Sequence, residues 1–150
     1  MRCQICNSLL FIVALYGCAS KPSAAPPVAR RDYPILYHRT GGIAGTDDRV
    51  VIWPDGFVEV TGKLLPEGST RLPKDRRDHL VSLFADWGQL QDNYLASNVA
   101  DAYTVTISYG DKSVTALDLA PNLPRQFRDI FTEIEAIAGQ AIVADHMAAP

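Results

Sequence analysis

Cysteine is scarce in this 150-residue chain, and all three copies, Cys3, Cys6 and Cys18, fall within the first eighteen residues. The rest of the chain therefore has no internal disulfide, no thiolate zinc site and no thiol nucleophile. Strong charge is lacking too: 14 basic against 17 acidic residues leave a formal charge of −3, which argues against a nucleic-acid footprint. No period implies a solenoid. Chemical motifs are equally sparse. His38, His79 and His146 sit far apart, and no H-E-x-x-H, Cys–His cluster or Asp-rich metal loop is present. There is no G-x-S-x-G, and the glycine-rich run Gly41–Thr46 lacks the lysine of a phosphate loop and precedes no helix signal. No residue set argues for catalysis, a cofactor or a small-molecule substrate, so the expectation is a protein that is not an enzyme.

What is present begins at the amino terminus. Arg2 supplies a positive start, Leu9-Leu10-Phe11-Ile12-Val13-Ala14 is an apolar run too short to span a bilayer, and small Gly17 precedes Cys18. This is the layout of a removable secretory signal over 1–17, with an ordinary signal peptide or a short buried helix as rival readings. The ending Leu15-Tyr16-Gly17-Cys18 resembles the lipobox of bacterial lipoproteins, although Tyr16 is bulkier than the usual occupant. That resemblance implies lipidation of Cys18 and a membrane as one partner. Ala19 after the cysteine resembles lipoproteins sent to the outer membrane, here facing the periplasm. Cys3-x-x-Cys6 then falls in the discarded segment, where a redox or zinc role has no place.

Residues 18–32 follow as a tether, since Lys21-Pro22-Ser23-Ala24-Ala25-Pro26-Pro27-Val28-Ala29-Arg30-Arg31-Asp32 is rich in Pro, Ala and Ser with no apolar period. Near polyproline extension those twelve residues reach roughly 35–40 Å, at about 3.1 Å per residue. A single domain is expected over 33–139, with 140–150 as a loose tail.

Within the domain the periods are clear. Tyr33–Arg39 reads as extended. Arg49–Trp53 and Phe57–Val60 flank the turn Pro54-Asp55-Gly56. Pro73 opens a helix whose Leu80, Leu83, Phe84 and Trp87 share one face, with Gly88 as its stop. Tyr103, Val105, Ile107 and Tyr109 alternate with polar residues, and Gly110-Asp111-Lys112 turns the chain into Ser113–Leu119. Asn122 is placed to cap a last helix carrying Leu123, Phe127, Ile130, Phe131, Ile134 and Ile137, closed by Gly139. The order predicts an α+β fold: an antiparallel four- to five-stranded sheet with two amphipathic helices packed on one face.

One stretch stands apart, from Arg39 to Asp48. Three glycines in five residues suit either a hairpin loop needing positive φ or a loop whose bare backbone lies against a partner. Arg39-Thr40-Gly41-Gly42-Ile43-Ala44-Gly45 resembles the Arg-Ser-Gly-Gly-Phe-Ala-Gly pattern of the emfourin family, proteinaceous inhibitors of thermolysin-like metalloproteases. The likeness extends in element order over about 35–137. Thr40 and Ile43 replace Ser and Phe, and the lipoprotein signal is an addition to a plain soluble domain. The resemblance implies a partner-binding loop formed by Arg39, Thr40, Gly41, Gly42, Ile43, Ala44 and Gly45, with Asp47 and Asp48 at its edge. It also implies a thermolysin-like metalloprotease as partner. The alternative is an envelope lipoprotein that uses the same fold as a structural or adaptor module. No zinc-ligand role is assigned to Asp47 or Asp48.

Overall fold

The computed structural model describes residues 33–95 and 101–148. The expected signal, Cys18 and the tether lie outside them. The fold is α+β, built on one seven-stranded sheet. The strands are β1 (Ile35–Gly41), β2 (Thr46–Ile52), β3 (Phe57–Thr61), β4 (Gly68–Arg71), β5 (Asn93–Tyr94), β6 (Tyr103–Tyr109) and β7 (Lys112–Leu117). Their spatial order is β4-β3-β2-β1-β6-β7-β5. Every pair is antiparallel except β5–β7, so the sheet is mixed and larger than the sequence suggests.

The period-two segments decide which face is buried. One row runs across five strands, Val60–Val50–Tyr37–Ile107–Val114, each residue in register with the next and each buried. The expected helix after Pro73 forms as α1 (Lys74–Ser82) and the last helix as α2 (Arg125–Ala148). Both cover that face. Phe84 packs on Tyr109 with ring centroids 4.6 Å apart, and Trp87 stacks on Phe127 at 6.3 Å. Leu123, Phe127, Ile130, Ile134 and Ile137 close the core as the apolar stripe requires. Phe131 lies at its margin, half-buried 6.2 Å from the Tyr37 ring.

β1 runs on to Gly41 and β2 starts at Thr46, so the loop read from Arg39 to Asp48 shrinks to the residues between them. Four further boundaries differ from the sequence reading for local reasons. Helix α1 stops at Ser82; the chain turns and Trp87–Gln89 forms a separate 3-10 turn, so Trp87 reaches the core from outside the helix. β7 ends at Leu117, where Ala120 N donates to the Leu117 carbonyl (3.0 Å). At α2 the first bond runs from Arg128 N to the Pro124 carbonyl (3.1 Å), which places Pro124 rather than Asn122 at the entrance. Most consequential, α2 does not close at Gly139 and residues 140–148 are no loose tail. Ala141 is fully buried, and a Cβ added to Gly68 would lie 3.2 Å from the Ala141 carbonyl, so β4 and the far end of α2 pack closely. Among the described residues no helix is long and apolar enough to cross a membrane.

Candidate functional site

The glycine loop is the turn between β1 and β2. Gly41 pairs with Thr46 at the end of the ladder, and the four residues from Gly42 to Gly45 close the hairpin, with Gly45 N donating to the Gly42 carbonyl at 3.1 Å. Gly41, Gly42 and Gly45 all have positive φ, so the turn needs them. At Gly42 there is a second demand: a Cβ would come within 2.6 Å of Tyr103 Cε1. The Tyr103 ring lies against the loop's bare backbone. From the other side Lys63 Nζ donates to the Ala44 and Gly45 carbonyls. The result is a braced turn whose apex, Ile43, is 88% exposed.

Beneath it lies a polar plate that the sequence reading assigned differently. Odd positions of β1 and even positions of β2 face the helices, which turns Arg39 and Asp48 inward as directly paired neighbours. The Asp48 side chain is 0% exposed and that of Arg39 15%. Arg39 Nη2 donates to Asp48 Oδ2 at 2.8 Å, and its Nη1 reaches Glu135 Oε1 of α2 at 3.2 Å. Tyr37 donates its hydroxyl to the same Glu135 carboxylate. Asp48 Oδ1 accepts from the amides of Leu64 (2.9 Å) and Leu65 (3.2 Å). Gly62 leaves the room for this carboxylate, since a Cβ there would lie 2.2 Å from Oδ1. Arg39 also lies under the Tyr103 ring, 5.2 Å from its centroid.

The charges follow from these contacts. Burial pushes the Asp48 carboxyl up, but the Arg39 hydrogen bond and the two amides more than reverse it, and the group sits below the usual carboxylate range. Burial, then the bond to Glu135, drives the Tyr37 hydroxyl far above its ordinary value, so it stays a neutral donor. Arg39 and Asp48 thus face each other beneath the loop, with the Asp48 side chain fully buried and that of Arg39 largely so. Thr46 Oγ1, two residues before Asp48, is buried without a hydrogen-bond partner.

Asp47 and Thr40 face the other, open side of the sheet. Asp47 Oδ1 contacts His38 Nε2 at 2.8 Å and Arg49 Nε at 3.6 Å, and the His38 bond foremost lowers its pKa. Among the described residues no group of three His, Cys, Asp or Glu side chains is arranged to hold a metal ion.

The structure therefore brings Thr40 to Gly45 together as one presented turn, sets Asp47 beside it on the open face, and withdraws Arg39 and Asp48 beneath it. Tyr103, Lys63 and Glu135 are the residues that sequence reasoning missed. Tyr103 carries a signal in hindsight, as the first residue of the best alternating strand, but Lys63 and Glu135 reach the loop only through the tertiary fold. No family model matches the chain, and no curated protein matches it either.

Proposed function

We propose that this chain is a membrane-tethered envelope protein, anchored through lipidated Cys18, that binds and blocks a thermolysin-like metalloprotease with its glycine loop. The observation that carries the reading is the presentation of Ile43. A β-branched aliphatic side chain stands nearly fully exposed at the apex of a turn braced by Tyr103, Lys63 and an internal hydrogen bond. A protein inhibitor gains affinity by meeting the cost of ordering its binding segment before the encounter, and this loop is ordered in advance. Resistance to cleavage has the same origin. Opening the turn for hydrolysis requires releasing the Gly45–Gly42 bond and the Lys63 contacts, which hold the two sides of a cut loop in place.

Orientation supports the same reading. The chain enters the domain at the Ile35 end of β1, and the loop lies at the Gly41 end, six residue steps or about 20 Å away. An anchor before Tyr33 thus leaves the loop at the far pole of the domain.

The test is inhibition of thermolysin by the mature chain carrying Cys18→Ser, compared with the same chain carrying Ile43→Asp. Ile43 is a sharper probe than Gly42, because a methyl group at Gly42 meets Tyr103 and disturbs the turn itself. The expected result is inhibition that Ile43→Asp weakens by about tenfold or more, or roughly 1.4 kcal/mol, at an unchanged thermal midpoint. A wild-type chain that leaves thermolysin fully active favours the adaptor alternative.

A further inference from the structure

The glycine loop closes on a bond of its own, yet its floor comes from residues far away in the chain. That floor is the Tyr103 ring. A Cβ at Gly42 would lie 2.6 Å from Tyr103 Cε1 and 3.2 Å from both Cδ1 and Cζ, so the bare backbone rests against one side of the ring. β6 carries Tyr103 opposite Gly41, at the last rung before the turn. The Tyr103 main chain is fixed there: its amide donates to Asp118 Oδ1 at 3.1 Å, and its carbonyl accepts from the Asp118 amide at 3.0 Å. Over the ring sits the Arg39 guanidinium, 5.2 Å from the centroid. Arg39 is fixed in turn. Its Nε and Nη2 donate to Asp48 Oδ2 at 3.3 and 2.8 Å, and its Nη1 donates to Glu135 Oε1 and Oε2 at 3.2 and 3.4 Å. Two carboxylates from two elements thus hold one planar group, which suits a guanidinium and not an ammonium. Glu135 also accepts the Tyr37 hydroxyl, and one turn earlier on α2 Phe131 lies 6.2 Å from the Tyr37 ring.

We infer that Glu135 is a positioning residue for the glycine loop: from α2 it orients the Arg39 guanidinium, which holds the Tyr103 ring beneath the Gly42 backbone. The consequence for inhibition rests on the reading given above, whereas the hold on the turn does not. Charge balance alone does not call for Glu135, because Asp48 already neutralises Arg39. What the second carboxylate adds is a second direction of hold, which ties the guanidinium to the helix as well as to β2. The relay runs from α2 through β1 to β6 and ends at the turn. It keeps the Gly42 backbone seated, so less ordering is left to the encounter with a partner. Lys63, donating to the Ala44 and Gly45 carbonyls, is a separate brace. Loosening the ring therefore leaves the turn formed but less ordered.

The experiment is amide hydrogen exchange, followed by NMR on the mature Cys18→Ser chain and read at two amides. The Gly45 amide, bonded to the Gly42 carbonyl, reports opening of the turn. The Ile107 amide, in the middle of β6 between β1 and β7, reports opening of the sheet. Glu135→Ala is expected to speed Gly45 exchange about threefold and Tyr103→Leu about tenfold. Glu135→Gln, which keeps an acceptor in place, should restore most of the protection, and Tyr103→Phe, which keeps the ring, all of it. In the Tyr103→Leu background Glu135→Ala should add nothing at Gly45, because the relay is already cut. A residue that only stabilises the fold behaves differently. It would speed Ile107 and lower the thermal midpoint while leaving Gly45 unchanged, since an exposed turn opens locally long before the domain unfolds. That result overturns the proposal, and so do additive effects of Glu135→Ala and Tyr103→Leu at Gly45. Thermolysin inhibition by the same proteins should weaken in the same order. A wild-type chain that leaves thermolysin fully active removes the inhibitory reading, and the Gly45 rates still decide the relay.

Discussion

At the scale of single residues, the decisive pair is Arg39 and Asp48. The sequence places both beside a glycine loop, and from there a role in contacting a partner is the natural reading. What the sequence does not reveal is the phase of the strands. Once β1 and β2 pair with Arg39 opposite Asp48, the alternation that buries Tyr37 and Val50 buries these two charges as well. Their ion pair is then tied to α2 through Glu135, a residue 96 positions away from Arg39 that no local pattern connects to the loop. Asp48→Asn removes one of the two carboxylates that Arg39 contacts and leaves Glu135 as its partner. The expected loss at neutral pH is therefore that of a charged buried hydrogen bond, about 1–3 kcal/mol. The pH dependence follows from the sign of the shift. The folded carboxyl titrates below its unfolded value of about 3.9, so its contribution is present above that pH and is lost as pH falls through the folded pKa. The wild-type chain should lose stability steeply below about pH 4, and Asp48→Asn should flatten that loss. Urea midpoints from pH 7 to pH 2.5 check both statements; parallel curves for the two proteins would show that Asp48 is not the group responsible.

At the scale of elements, legibility followed burial. The strands with strict apolar alternation, β6 above all, and the hairpin around Pro54-Asp55-Gly56 form where the sequence puts them. β4 and β5 were silent because Gly68-Ser69-Thr70-Arg71 carries no apolar alternation and two residues carry no period at all. These strands are held by ladder bonds and by neighbours distant in sequence. The helix ends misled for a different reason. Gly139 has the residue type of a stop, but the buried face continues through Ala141 against β4, and tertiary packing outweighs a propensity cost of about 1 kcal/mol. A measurable consequence follows. A Cβ at Gly139 meets nothing within 4 Å, so Gly139→Ala removes the propensity cost with no clash and should stabilise the domain by roughly 0.5–1 kcal/mol. Were Gly139 instead a left-handed cap, the same change would destabilise, so the sign of the shift in thermal midpoint decides between the two conformations.

At the scale of the whole molecule, the fold sets a polarity that the sequence implies only in parts. The described domain begins beside the start of β1 and the glycine loop closes the other end of that strand, so the anchor proposed at Cys18 would join the domain at the end opposite the proposed binding loop. A fully extended tether of twelve residues would have a reach of roughly 35–40 Å at about 3.1 Å per residue. Under the proposed reading, a loop at the far pole would not depend on that reach to meet a soluble protease. Two effects that are easily confused thus come apart. Cys18→Ser should abolish partition into the detergent phase while leaving thermolysin inhibition by the purified chain unchanged. Deleting 21–30 from the lipidated protein on vesicles should keep it membrane-bound and leave inhibition within about twofold, or roughly 0.4 kcal/mol. A loop turned toward the membrane gives the opposite pattern, in which shortening the linker buries the apex against headgroups and inhibition falls by about tenfold or more. A mature amino terminus anywhere other than Cys18 removes the anchor from the scheme, and inhibition that tracks linker length reverses the polarity assigned to β1.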